Sequence, residues 1–291
     1  MYETVLVPVD GSPEADGAVA HAIALARVDG GTVHAFSVIE SEGELGTERP
    51  EAAYRFSEPR GRQATAQVAD LAGDAGVDVV RHVREGIPYQ EITAYVDEFD
   101  VDLIVMGTRG AAAADRTRLG STAERVITFA DVPVVTVRLT EDAITDAEHV
   151  SIERIVVPTD GSDDAERAAE VGLDLAEFVD ARVDVVYVVD RTIYDLEDAP
   201  RSIIGLLREG GRNAIEAVER DARDRGLTVR TEVLRGVPET ELRAYADGVD
   251  ADLLAMGTRG RGATGDRLLG STTARVVRRA DRPVLTVNSS R

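Results

Sequence analysis

Two stretches carry the residue types that let a polypeptide hold phosphate with its own backbone. They are Gly107-x2-Gly110-x9-Gly120-Ser121-Thr122 and Gly257-x2-Gly260-x9-Gly270-Ser271-Thr272. A glycine that follows a strand tolerates positive φ and lets a ligand approach the main chain closely. Gly120 and Gly270 stand where a helix is expected to begin, and unpaired N–H groups there, with the positive end of the helix dipole, suit an anion. Ser121, Thr122, Ser271 and Thr272 add hydroxyl donors. No lysine is required, and all 33 basic residues are arginine. The competing account is that the glycines only form tight turns and that Ser121 only caps its helix. A short glycine pattern seen once is weak evidence. The same spacing found twice, each time between an expected strand and an expected helix, favours phosphate.

The doubling extends along the chain. Val7-Pro8-Val9-Asp10-Gly11-Ser12 returns as Val157-Pro158-Thr159-Asp160-Gly161-Ser162, and Gly107-Thr108-Arg109-Gly110 returns as Gly257-Thr258-Arg259-Gly260, each at an offset of 150 residues. So long a period in 291 residues marks a duplicated domain rather than a solenoid. The expected division is a first domain over 1–140, a linker over 141–152 and a second domain over 153–291.

Composition narrows the function classes. The net charge of -21 argues against nucleic acid and anionic membrane surfaces as partners, since both need clustered positive charge. So acidic a surface suits a salt-rich cytoplasm, where screening shrinks self-repulsion. Cysteine is absent, which removes disulfides, thiolate catalysis and Cys-based metal sites. No secretory signal is visible, and no apolar run approaches the roughly 20 residues of a membrane helix. A soluble, cytoplasmic, halophilic protein is the expectation.

In each half, short apolar runs alternate with helix-period segments, which implies α/β domains with helices on both faces of a parallel sheet. In the first half, strands are expected at Thr4–Val9, Thr32–Ile39, Val77–Val83, Leu103–Met106 and Pro133–Val137. Ser12 reads as a helix N-cap with Pro13 at the first helical position. The polar stretch Ser41–Arg60, with Gly43, Gly46, Pro50 and Pro59, reads as a loop, followed by a helix over about 62–75. The second half repeats the order, with a longer second helix over about 200–225. Right-handed crossovers give two doubly wound five-stranded sheets, and ligands in such sheets sit beyond the carboxyl ends of the strands, where strand order reverses. The repeated glycines fall on those loops.

These motifs resemble, over nearly the whole chain, a tandem universal stress protein of the UspA superfamily. The likeness rests on Val-Pro-Val-Asp-Gly-Ser at the first strand, on the glycine element, and on Pro133-Val134-Val135 and Pro283-Val284-Leu285 in the last strands. It implies a Rossmann-like fold of the adenine nucleotide alpha hydrolase type with strand order 3-2-1-4-5. It also implies ATP as ligand, with Mg or Mn on the phosphates in some members. By position, Pro8 and Asp10, with Pro158 and Asp160, would lie by the adenosine. Val38 and Val188 would offer backbone groups to adenine, and Gly107 and Gly257 would lie near the ribose. Gly110, Gly120, Ser121 and Thr122 would hold phosphates, as would Gly260, Gly270, Ser271 and Thr272. The residues alone also allow Asp10 to be a turn former. The last strands are apolar edges that invite pairing, so the two halves are expected to form an intramolecular pseudo-dimer, and two chains a further homodimer.

The loops differ between the halves. The second has Arg261-Gly262-Ala263-Thr264-Gly265, the first Ala111-Ala112-Ala113-Ala114, so if only one half binds nucleotide tightly, the second is expected to. Arg109 and Arg259 either reach a phosphate or are solvated. His21 and His149 are expected to face solvent, His34 and His82 to lie in strands, Met106 and Met256 in the core. Asp100, Asp102, Asp250 and Asp252 are expected to turn or cap the chain away from the ligand edge. No general base or nucleophile is evident beside the glycine element, so catalysis is not implied. The leading function is a stress-response protein that holds ATP and changes its interactions with occupancy. A slow ATPase or phosphotransferase, and an interaction scaffold with vestigial loops, are the alternatives.

Overall fold

The computed structural model describes residues 1–40, 51–110, 118–140, 144–191, 201–260 and 269–288, with backbone alone for Glu14, 51–57 and 201–208. The chain divides into two compact units, Met1–Ser151 and Ile152–Arg291.

The first unit runs β1 (Thr4–Pro8), α1 (Asp16–Val28), β2 (Thr32–Glu40), α2 (Glu51–Asp74), β3 (Asp78–Gly86), α3 (Pro88–Glu98), β4 (Leu103–Gly107), α4 (Ser121–Phe129) and β5 (Val134–Val137). Its strands lie in the order β3-β2-β1-β4-β5, every neighbouring pair parallel. The second unit repeats this with β6 (Arg154–Pro158), α5 (Asp163–Val179), β7 (Arg182–Asp190), α6 (Arg201–Asp224), β8 (Val229–Gly236), α7 (Pro238–Gly248), β9 (Leu253–Gly257), α8 (Ser271–Arg279) and β10 (Val284–Val287). Its order is β8-β7-β6-β9-β10, again parallel. Both are the doubly wound order 3-2-1-4-5.

The central strands are covered on both faces, which is why they read as continuous apolar runs. Val5, Leu6 and Val7 of β1 and all five residues of β4 are buried, and so are all four residues of β5 and of β10. The alanine stripe of α1 packs on this sheet, and Met106 and Met256 lie in the core as expected.

Several expectations need correction. Residues 51–60, read as loop, are helical, because α2 starts at Glu51. The stretch from Ala52 to Glu58 contains no glycine, and Pro59 sits exposed inside the helix, where its missing N–H removes a single bond. Ser12 is, as expected, at an N-cap with Pro13 at the first helical position, but of a 3-10 turn, Pro13–Ala15, and α1 itself starts only at Asp16. Its hydroxyl donates to Asp10 instead of capping. Ser162 does cap α5, accepting from the Ala165 N–H at 3.3 Å. His21 is buried, with Nδ1 2.8 Å from the Gly17 carbonyl one turn back. That local bond lets an imidazole sit inside the alanine-rich face.

The aspartates before β4 and β9 act at the amino end of the sheet. Asp102 accepts the N–H groups of Glu3 and Thr4 at 2.8 and 2.9 Å, and Asp252 accepts those of Glu153 and Arg154 at 2.9 Å each. Asp100 and Asp250 take positive φ in the turns just before. His149 is exposed and paired with Asp146 at 2.9 Å.

His34 and His82 lie on β2 and β3, under an aromatic cover from α3. The His34 Nδ1 is 2.9 Å from the Tyr95 hydroxyl, and the rings of Tyr95 and Phe99 lie against both histidines. The Arg84 guanidinium stands 5.1 Å over Tyr95. Burial, and then the neighbouring His82, hold the His34 pKa below 6.5; burial pushes the Tyr95 hydroxyl up to about 12. The unfolded chain therefore takes up a proton on His34 more readily than the folded one. This contribution to stability is complete above pH 6.5 and is lost as pH falls from 6.5 towards the lower folded-state value. Urea midpoints of the wild type should fall more steeply between about pH 7 and 5 than those of His34→Gln. Parallel curves would refute it.

Candidate functional site

The reversal of strand order comes at β1, whose chain goes to β2 on one side and whose other neighbour is β4. The expected residues converge at the carboxyl ends of these three strands. Asp10 leaves β1 and Gly110 leaves β4, a hundred residues apart in sequence. They meet: a Cβ on Gly110 would stand 2.5 Å from Asp10 Oδ2. The second unit repeats it, with Gly260 and Asp160 Oδ2 at 2.6 Å. Only glycine leaves space beside each carboxylate.

The carboxylate is fixed by its own turn. Asp10 Oδ1 accepts from the Ser12 N–H at 3.0 Å and the Ser12 hydroxyl at 2.5 Å; Asp160 Oδ1 accepts from the Ser162 N–H at 3.0 Å and the hydroxyl at 2.6 Å. Gly11 and Gly161 supply the positive φ, 71° and 72°, that this turn requires. Asp10 is thus a turn former and also a wall of the crevice. Pro8 and Pro158 are the last residues of β1 and β6.

Val38 and Val188 lie late in β2 and β7. The Val9 N–H donates to the Phe36 carbonyl at 2.8 Å and the Thr159 N–H to that of Val186 at 2.9 Å, which closes the pairing with the first strand of each unit. Backbone polar groups on one edge of a strand recur every second residue. Val38 and Val188 therefore turn an N–H and a C=O towards the same side, past the point where β1 and β6 have ended.

The other wall is the start of α4 and of α8. The Gly120 and Gly270 N–H groups donate to the Thr108 and Thr258 carbonyls at 2.9 and 2.8 Å, folding each glycine element back on its strand. Gly120 and Gly270 are themselves the N-caps, and no side chain caps either helix. Ser121 and Ser271 are the first helical residues and are exposed; Thr122 and Thr272 are half-buried. The serine is thus not consumed in capping. The loops 111–117 and 261–268, where the halves differ most in sequence, lie outside the described residues.

Gly107 and Gly257 end β4 and β9. At Gly257 a Cβ would stand 2.7 Å from the Asp164 carbonyl carbon and oxygen, so the backbone of α5 takes the space a side chain would need. Asp164 is a residue that sequence reasoning missed. It is buried, and accepts from the Thr258 hydroxyl at 3.1 Å, the Arg259 N–H at 3.0 Å and the Arg259 Nε at 3.1 Å. Arg259, expected either on a phosphate or in solvent, is instead drawn back onto this carboxylate and onto Asn288 at 3.3 Å. Arg60 was missed as well, having been assigned to a loop; its Nη2 donates to the Gly11 carbonyl at 3.2 Å. Among the described residues, no three histidine, aspartate or glutamate side chains converge as a metal cluster.

The model of the universal stress protein family matches residues 1–138 and again 151–288. A universal stress protein of Methanocaldococcus jannaschii is 39% identical over 138 residues, which cover 46% of this chain and 81% of that one. A universal stress protein of Mycolicibacterium smegmatis is 30% identical over 300 residues, covering 97% of this chain and 96% of its own. The crystal structure of a universal stress protein from Archaeoglobus fulgidus superposes with a TM-score of 0.73 at 22% identity, covering 98% of this chain and 96% of that one, and shares the fold.

Proposed function

The chain belongs to the universal stress protein family, and from that premise we propose that its crevices hold ATP, one molecule in each half, in a stress-response protein that acts through nucleotide-dependent interactions. The observation that carries this reading is the meeting of Asp10 with Gly110 and of Asp160 with Gly260, at the strand-order switch, twice. A glycine, a fixed carboxylate and a helix start without a side-chain cap, gathered at the carboxyl ends of the strands where strand order reverses, are the parts from which a nucleotide site in such a sheet is built.

In this reading the nucleoside lies between Pro8, Asp10 and Val38 in the first half, and between Pro158, Asp160 and Val188 in the second. The backbone N–H and C=O of each valine are a donor–acceptor pair that complements the edge of an adenine. The ribose lies over Gly107 or Gly257. The phosphates lie along Gly110, Gly120, Ser121 and Thr122, or along Gly260, Gly270, Ser271 and Thr272, within reach of the N-terminal dipole of α4 or α8. A Mg²⁺ or Mn²⁺ ion would ride on the phosphate oxygens. Among the described residues none is assigned here as base or nucleophile, and the reading is of ATP held rather than turned over.

The test is mass spectrometry of the supernatant after the purified chain is denatured, with calorimetric titration of the emptied protein. Adenine nucleotide in the supernatant and saturable heats with ATP are expected. A clean supernatant together with no heat at millimolar ATP would overturn the reading.

A further inference from the structure

The two crevices differ at one position that neither the glycine element nor the β1 turn contains. α2 packs on β2 through Gly61, where a Cβ would stand 2.9 Å from Ser37 Oγ. Ser37 is the residue before Val38, so the helix is fixed beside the edge assigned to the base. Arg60, one residue earlier, sends its side chain to the β1 turn. Its Nη2 donates to the Gly11 carbonyl at 3.2 Å, and its Cγ and Nε lie 3.3 and 3.2 Å from where Gly11 would carry a Cβ. The guanidinium thus links α2 to the β1 turn at the nucleoside end of the first crevice.

The second unit has Gly210 at the corresponding place. Its neighbour Gly211 packs α6 on β7 as Gly61 packs α2 on β2, a Cβ there falling 2.5 Å from the Tyr187 ring. A Cβ on Gly210 itself would meet nothing within 4 Å. One crevice has a cation at this point and the other has open space.

The surroundings decide what the cation meets. Asp10, an exposed carboxylate, stands in the same turn and repels an anionic group. The helix start assigned to the phosphates, at Gly120 and Ser121 of α4, belongs to the other wall. What remains beside Arg60 is the uncharged flat ring of the base. A guanidinium is planar and weakly hydrated, and one tethered through Nη2 keeps a face for stacking. We propose that Arg60 packs on the base of the nucleotide in the first crevice and slows its release, and that the second crevice, with Gly210, lacks this contact. The inference rests on the nucleotide reading above and adds to it a residue that makes the two sites unequal.

The experiment is stopped-flow release of a ribose-labelled fluorescent ATP from the full chain, chased with unlabelled ATP. Arg60→Ala keeps the helix and should accelerate one component of the release about 5-fold. Arg60→Lys keeps the charge without the plane and should release like Arg60→Ala. Gly210→Arg enters open space on a helix and should slow the other component about 5-fold. Unchanged release in Arg60→Ala would overturn the inference while leaving the nucleotide reading intact, and so would wild-type release in Arg60→Lys. Failure of the wild type to bind the labelled ATP would overturn both.

Discussion

Gly260→Val is expected to weaken nucleotide binding in the second half by on the order of 50- to 100-fold, or about 2–3 kcal/mol, while the chain stays folded. Its Cβ would fall 2.6 Å from Asp160 Oδ2, below any ordinary contact. The carboxylate cannot simply turn away, because its other oxygen holds the Ser162 N–H and hydroxyl. Relief must come from the glycine loop moving outward or from the turn opening, and either change alters the wall on which a ligand rests. Two methyl groups then occupy what space is left. Gly260 is exposed, so few packed neighbours are disturbed and the fold should lose much less than the site. Calorimetry on the full chain should show one of two classes of site weakened, with Gly110→Val weakening the other. Two sites of unchanged affinity in Gly260→Val, alongside a normal melting profile, would contradict the placement of ligand between Asp160 and Gly260.

That contact also shows how far sequence could go. The strands were legible because each signal was local: a buried parallel strand is a continuous apolar run, and β1, β4 and β5 needed only that. The glycines were legible because they recur at fixed spacing beside those strands. The meeting of Asp10 with Gly110 was not, since it depends on β1 and β4 becoming neighbours. Only the sheet order makes adjacent in space what lies a hundred residues apart. Arg259 shows the same limit. Whether an arginine beside a phosphate loop is available depends on a carboxylate from another helix, and Asp164 binds it from 95 residues away. His21 and residues 51–60 were misread for the opposite reason. Local residue type, a polar ring in one case and a proline in the other, was given more weight than the helix around it. Arg60 was lost with that stretch, although aligning the halves would have set it against Gly210 and flagged a difference.

Asp252→Ala is expected to destabilise the second unit by about 2–3 kcal/mol without touching its crevice. One carboxylate oxygen, Oδ2, accepts two N–H groups, from Glu153 and Arg154, at 2.9 Å each. These are donors at the amino end of β6, the central strand of the second unit. Hydrogen bonds to a charged acceptor contribute about 1.5–3 kcal/mol each, and the partial exposure of this end lets water recover some of that. The neighbouring Asp250 provides the control. It sits at a φ of 49°, which glycine adopts without strain, so Asp250→Gly should be close to neutral. Urea unfolding followed by circular dichroism should move the transition of the second unit to lower denaturant for Asp252→Ala and leave it in place for Asp250→Gly. ATP affinity should be unaltered in both, because Asp252 lies at the opposite end of the strands from Asp160 and Gly260. An Asp252→Ala protein as stable as the wild type would mean that the strand start is held by something other than this carboxylate. Weakened ATP binding in a fully folded Asp252→Ala would mean that the two ends of the sheet are coupled.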